Sequence, residues 1–309
     1  MMTIKAILLG ARFVAQKEVS GIRALKVQAK FAYSCLREIE LVKRIVVSKQ
    51  DSTIGVCRSS YPDIIGIVIW PYQCNKWDAQ TRTVKLLEHC KIIDRFGAPL
   101  KFPIDQKLLL GDLSFIQPNL CLILDQSKWF FREGMLVLNL FSGQTRIYSL
   151  AFSFNEKGGR LIATVGSIQG RDLDGIAETY HELTKAAHGV RPRDLLIEAF
   201  KSFCRALNIE TAMLVSDQAR HHRHRYFNSD VNRKLPSNYD EIWSDRGAIR
   251  LDGDWFEIST SRVVRQFEEI PTKKRKMYRQ RYEMLEHLDD RLRHQLDNPM
   301  YESASARAK

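Results

Sequence analysis

Apolar positions change their spacing near residue 105, and the change separates two kinds of structure. Before it the spacing is helical. Val27, Phe31, Cys35 and Leu36 recur on one face, Ile39 and Val46 prolong the stripe, and helix is predicted up to about Val47. Thr81 to Phe96 reads as a further helix. Between them Ile64-Ile-Gly-Ile-Val-Ile-Trp70, a β-branched run closed by Pro71, predicts a buried strand. Residues 1–105 are therefore expected to be a mainly helical region.

After residue 105 the pattern is that of strands. Lys107–Leu110, Leu120–Leu124, Met135–Leu140, Ile147–Phe154 and Leu161–Val165 follow one another, separated by the turn pairs Gly111-Asp112, Glu133-Gly134 and Ser142-Gly143 and by Lys157-Gly-Gly159. The last strand runs on through Gln169 to Gly170-Arg171. A polar segment follows, then Lys185-Ala-Ala-His-Gly-Val-Arg-Pro-Arg193, a helix over Asp194–Leu207 and a strand over Thr211–Ser216. A meander that turns into strand–helix–strand implies an α+β fold with a mixed, mostly antiparallel sheet. Pro236–Trp243 enters a short helix, and Asp252–Ile258 reads as turn and strand. Lys273 to about Leu296 forms a charged helix after Pro271, with Met277, Leu285, Leu288, Leu292 and Leu296 near helical spacing. The expected organisation is residues 1–105 helical, 106–297 an α+β domain ending in the basic helix, and 298–309 a flexible tail.

Charge narrows the partners. The chain carries a formal net charge of +12, which favours anionic ones: nucleotide-like cofactors, lipid head groups or nucleic acid. Nucleic acid is not favoured, because no binding motif accompanies the charge. Six scattered cysteines offer no CxxC pair, so reduced, mostly buried thiols are expected. The short apolar run Ala6–Leu9 is soon interrupted by Arg12, and no segment reaches membrane length, which predicts a cytoplasmic protein, peripheral at the inner membrane if its basic runs meet lipid.

Candidate chemistry gathers around the strand–turn–helix unit. Backbone N–H groups at Gly189 and the helix start, flanked by Arg191 and Arg193, could hold a diphosphate; a capped surface helix is the alternative. Pro192 suits the first helical position. His188 could act as a general base. Gln169 and Gly170, at the strand end, could present backbone amides to a developing oxyanion, with an ordinary strand end as the alternative. Tyr239, Asp240, Glu241 and Trp243 combine carboxylates with aromatics. Glu241 could accept a proton; the alternative is that Asn238 caps a helix whose Trp243 packs inward. His221, His222 and His224 have no Asp, Glu or Cys at ligand spacing nearby, so no metal site is expected and the segment reads as a solvated basic loop. The Lys273–Arg281 run could bind lipid head groups or pack as a part-buried scaffold through Met277, Tyr278 and Tyr282. No P-loop, Rossmann fingerprint or Gly-x-Ser-x-Gly elbow occurs.

Gly166-Ser-Ile-Gln-Gly170, Thr184–Leu196, Tyr239-Asp-Glu-Ile-Trp243 and Ile270-Pro-Thr-Lys-Lys-Arg-Lys-Met-Tyr-Arg-Gln-Arg-Tyr282, in that order, resemble the bacterial VirK/YbjX family. That resemblance implies a link to virulence, envelope behaviour, resistance to antimicrobial peptides and the modification of siderophore-carrying microcins, but no settled reaction. The meander and strand–turn–helix–strand order also resembles the GCN5-related N-acetyltransferase fold, whose turn holds the pyrophosphate of an acyl-coenzyme A. Here Gly189-Val-Arg191 stands at the glycine end of that turn, and Ala186 replaces its Arg or Gln. The resemblance implies an acyltransferase-like enzyme using an acyl-coenzyme A-type donor and an amine or hydroxyl acceptor, with no metal. The other reading is a non-catalytic factor engaging a partner protein or an anionic membrane surface.

Overall fold

Side chains alternate across the strands, and that alternation builds the molecule. The computed structural model describes residues 1–16, 21–227 and 237–305. Its centre is a nine-stranded sheet made of β1 (Gln106–Asp112), β2 (Leu120–Asp125), β3 (Leu136–Ser142), β4 (Thr145–Lys157), β5 (Arg160–Gly170), β6 (Thr211–Val215), β7 (Ile249–Arg250), β8 (Trp255–Ser259) and β9 (Met300–Ser303). The order is β7-β8-β6-β5-β4-β3-β2-β1-β9. Only β5 and β6 pair in parallel, as the strand–helix–strand reading requires. Their crossover is α6 (Ile176–Ala186) followed by α7 (Pro192–Ala206). α6 is an addition to the sequence reading; it buries only Leu183, so its polar surface concealed it.

One set of alternate residues, including Leu122, Leu138, Leu150 and Phe152, forms the main core with Leu196, Phe200 and Phe203 of α7 and Leu285, Leu288 and Leu292 of α9 (Arg275–Asp297). The intervening set is more polar. Leu109, Ile123, Asn139, Ser149 and Gln169 stand in register across β1 to β5, and Asp125, Val137, Ala151 and Ser167 make the neighbouring row. Asn139 and Ser149 are buried and satisfy each other at 2.7 Å. A polar stripe thus runs across the sheet and ends at Ser167 and Gln169.

The N-terminal helices are α1 (Met2–Ala15), α2 (Ile22–Arg37), α3 (Ile39–Val46), α4 (Thr53–Ser60) and α5 (Ala79–Phe96). They enclose a second apolar cluster that includes Ile7, Phe31, Val42, Ile45 and Ile65. The strand expected over Ile64–Trp70 is instead a run of 3₁₀ turns over Pro62–Val68. Pro62 starts it, the Ile69 N–H donates to the Gly66 carbonyl at 2.8 Å, and every residue from Pro62 to Val68 is buried. A run apolar on all sides has no period to separate strand from turn. The tail is also corrected. Met300–Ser303 is strand β9, pairing with β1 from Leu109↔Met300 to Gln106↔Ser303, where it covers an otherwise open sheet edge.

All six cysteines are buried thiols outside any disulfide, as the spacing predicted; burial pushes Cys35 and Cys57 up to about 12. Among the described residues, no helix is long and apolar enough to cross a membrane.

Candidate functional site

Two glycines bring an acid onto the end of the central strand. Glu133 closes the turn before β3, its N–H donating to the Phe130 carbonyl at 2.7 Å. A Cβ on the next residue, Gly134, would lie 2.3 Å from the Phe152 nitrogen. On the facing strand, Gly166 sits where the β4–β5 register slips between Ala151↔Ser167 and Phe152↔Val165, a bulge. A Cβ there would lie 2.0 Å from the Glu133 carbonyl oxygen. Backbone meets backbone, and the Glu133 side chain comes down beside Ser167 and Gln169. The Ser167 hydroxyl donates to Oε2 at 2.5 Å, and the Gln169 amide lies 2.8 Å from each carboxylate oxygen.

The second half of the site follows β6. Asp217 gathers its neighbours: its carboxylate accepts from Arg220, from Arg223 and from the Tyr239 N–H. Burial alone would raise Asp217, but those donors outweigh it and hold the carboxyl below its ordinary range. Arg220 is buried, lies 3.8 Å over the Tyr239 ring and donates to the Ser237 carbonyl at 2.9 Å. Tyr239, at the start of α8 (Tyr239–Asp245), accepts from the Ile168 N–H and donates to the Ile168 carbonyl. The frame is therefore tied back to β5. From it a single 3₁₀ turn, His221–Arg223, presents two imidazoles. His221 Nε2 is 3.7 Å and His222 Nε2 3.6 Å from Glu133 Oε1, and the rings are 3.8 Å apart.

Glu133, Gln169, His221 and His222 line an open cavity of about 610 Å³. Trp70, Trp129, Phe131, Tyr226 and Phe227 add aromatic walls, with Val14 of α1 and Ile64. Lys128, paired with Asp63 at 3.0 Å, and Arg132, whose guanidinium lies 4.9 Å over the Trp70 ring, supply positive charge. Burial pushes the Glu133 carboxyl up to about 7, against the opposing pull of Ser167, Arg220 and Gln169. His221 is driven well below its ordinary range, first by burial and then by its cationic neighbours. Burial thus moves the Glu133 carboxyl toward neutrality and disfavours protonation of the adjacent His221 imidazole.

Ligand atoms of Glu133, His221 and His222 lie within 4.8 Å of one another, close enough to bracket a divalent ion. One feature weighs against that use: histidines that bind metal hand their other nitrogen to an acceptor, yet His221 Nδ1 is buried with no hydrogen-bond partner among the described residues.

Of the residues singled out from the sequence, Gln169, through its side-chain amide, His221 and His222 line this cavity, and Tyr239 belongs to the frame behind it. His188, Gly189, Arg191, Arg193 and Glu241 do not line the cavity. The His188 carbonyl accepts from Arg281 of α9 at 2.8 Å. A Cβ on Gly189 would meet Arg281 at 3.1 Å and Met277 at 3.5 Å, so a protein cation already occupies that turn. Arg193 pairs with Asp194 at 3.1 Å, and Arg191 is exposed as the residue before α7. Glu241 is exposed and accepts from Asn238, while Asp240 pairs with Arg250 at 3.0 Å. Trp243 is buried, as the packing alternative held.

The solvated loop expected at His221–Arg225 is corrected: His221 is 4% exposed, because β6 ends inside the sheet and its loop folds back over Glu133. The acid that sequence spacing did not offer comes from another element. Glu133 read only as half of a turn pair, and Ser167 and Arg220 carried no signal of their own. The flanking glycines of Glu133-Gly134 and Gly166 were the trace that a close backbone contact would have left.

Comparison with known proteins adds a family. The family model described as "Protein of unknown function (DUF535)" matches residues 20–294. An "Uncharacterized protein" of Haemophilus influenzae is 32% identical over 157 residues, 50% of this chain and 51% of that protein, so the match spans about half of that relative's length. A second from the same organism is 27% identical over 224 residues, 71% and 73% of the two chains. The "Uncharacterized protein YbjX" of Escherichia coli is 28% identical over 137 residues, 44% and 41%.

Proposed function

This chain belongs to the DUF535 family, that of the VirK/YbjX proteins, and we propose that it is an acyltransferase whose general base is Glu133. The observation that carries the reading is a buried carboxyl with its pKa lifted to about 7, lining an open cavity of about 610 Å³. A base matched to neutral pH is what deprotonation of an amine or hydroxyl needs. Lys128 and Arg132 suit the phosphates of an acyl-coenzyme A-type donor, and the aromatic and aliphatic walls suit an acyl chain. We assign the donor to this cavity rather than to Gly189–Arg193; Arg281 on that turn supports the choice.

In the step, the acceptor nitrogen or oxygen bonds to the thioester carbonyl carbon as its proton passes to Glu133. The carbon–sulfur bond then breaks, and the thiolate leaves and takes up that proton. The products are an acylated acceptor and a thiol. Gln169 and Ser167 keep the carboxylate aimed, and neutral His221 adds no competing charge.

The test is thiol release from a panel of acyl-coenzyme A donors with amine and hydroxyl acceptors, comparing wild type with Glu133→Gln. Acceptor-dependent release that the variant loses supports the proposal. Release that is equal in both, or absent with every donor together with no donor-induced rise in melting temperature, sinks it and favours the binding-factor reading.

A further inference from the structure

The helical pair α1 and α2 faces outward with a surface that a water-exposed helix rarely carries. On α1, Met2 is 65% exposed, Leu8 53% and Leu9 55%; on α2, Ile22 is 73% and Leu25 64% exposed. These positions are not spare core. The inward sides of the same helices already pack Ile7, Ala11, Phe31 and Cys35 into the second apolar cluster.

The charge on the pair points to what covers this face. Lys5 and Arg12 lie on α1, and Arg23, Lys26, Lys30 and Arg37 on α2, while neither helix contains an aspartate or glutamate. All six basic residues are exposed alongside the apolar ones. Apolar side chains interleaved with cations of a single sign match a bilayer boundary, where acyl chains take the first and anionic head groups the second. An acidic protein partner would meet the charge but would leave the bare leucines and isoleucine to a matching apolar patch. Neither helix is long and apolar enough to span a membrane, so the pair would lie on it.

We propose that α1 and α2 dock this protein on an anionic membrane surface. The docking is independent of the chemistry proposed for Glu133. It has one consequence for that site. Val14 of α1 lines the cavity, so the docked protein holds the cavity about one helix diameter, ~10 Å, from the bilayer.

The experiment is co-sedimentation of the full chain with vesicles of phosphatidylcholine alone or mixed with phosphatidylglycerol. Binding is expected to the mixed vesicles and not to phosphatidylcholine. Lys26→Gln/Lys30→Gln should weaken it ~30-fold, and Leu8→Gln/Leu9→Gln by about tenfold or more. Both pairs are exposed, so unchanged melting temperatures show that the variants fold. Lys273→Gln/Lys274→Gln, on the other basic run, should bind like wild type. Glu133→Gln should also bind, which separates this proposal from the acyltransferase. No binding to phosphatidylglycerol vesicles overturns it, as does equal binding by both α1 and α2 variants. Self-association lost in the leucine variant, with no vesicle binding, would assign the face to a second copy of the chain.

Discussion

The side-chain amide of Gln169 donates to both oxygens of the Glu133 carboxyl, at 2.8 Å each. With the Ser167 hydroxyl it fixes the acid in one orientation through neutral donors, and Arg220 adds a charge felt through space. Neutral donors lower a carboxyl less than a paired guanidinium does, so burial wins and the group sits near 7. Asp217 shows the converse: Arg220 and Arg223 bond to it directly and it stays below the ordinary range. One frame holds one carboxylate charged and leaves the other poised to exchange a proton.

A base must be ionised to work. The rate under limiting substrate should therefore rise about tenfold per pH unit below the Glu133 pKa and level off above about 7. Glu133→Gln keeps the shape and removes the proposed base. Its kcat/KM should fall by about 10²–10⁴-fold and lose that ascending limb. Initial rates of thiol release across neutral pH check both. An ascending limb that survives in the variant would assign the titration to another group.

Stability should carry the same signature with two opposing signs. The folded Glu133 pKa lies above its unfolded value of 4.5. The folded state therefore binds more protons between about 4.5 and 7, and stability from this group is lost as pH rises through that window. His221 works the other way. Its folded pKa is well below 6.5, so stability is lost as pH falls below about 6.5, where the unfolded imidazole protonates. Melting temperatures from acid to neutral pH should separate the two. Relative to wild type, Glu133→Gln should gain stability toward neutral pH, and His221→Asn should gain it toward acid. Parallel curves for wild type and Glu133→Gln would show that the carboxyl is not raised.

The sheet was legible because its strands alternate and their turns carry glycine. β1 to β6 and the parallel β5–β6 step follow from apolar period and Gly-containing links, while Gln169 drew attention at the strand end for its backbone amide and reaches Glu133 through its side chain instead. The rest of the site was not, for physical reasons. Glu133, Ser167 and His221 come from three segments that meet only when the sheet forms, and no spacing encodes that meeting. Pro62–Val68 was misread because complete burial erases period. β9 was misread because a four-residue edge strand is too short to show an alternation. Arg191 and Arg193 drew attention as cations beside a helix start, yet Arg281 arrives from α9, far along the chain, to fill the turn.

Gly166 should be among the least replaceable small residues. In Gly166→Ala the new methyl meets the Glu133 carbonyl oxygen at 2.0 Å, backbone that cannot swing aside. Destabilisation of about 1–3 kcal/mol or more is expected, with the Glu133 turn lifted from the bulge and activity lost beyond what the folded fraction explains. Gly253→Ala, where nothing lies within 4 Å, should stay within about 0.5 kcal/mol of wild type. Denaturant melts of the pair beside specific activity decide it; an active Gly166→Ala would mean that the contact does not place Glu133.

Arg220 offers a way to move the Glu133 titration without touching the cavity wall. It lies outside the cavity lining, over the Tyr239 ring, yet its charge is one of the influences pulling Glu133 down. In Arg220→Gln that pull is gone and burial stands less opposed. The ascending limb of the pH–rate profile should shift to higher pH, while the plateau rate of the folded protein changes little. Asp217 keeps Arg223 and the Tyr239 N–H, so the stability cost should be moderate, about 1–3 kcal/mol. Arg220→Lys restores the charge without the planar stack on Tyr239, so its midpoint should return toward the wild-type value although its melting temperature stays low. A structural defect alone would lower activity at every pH in both variants. A midpoint that follows charge and not stability would show that Arg220 tunes Glu133 electrostatically.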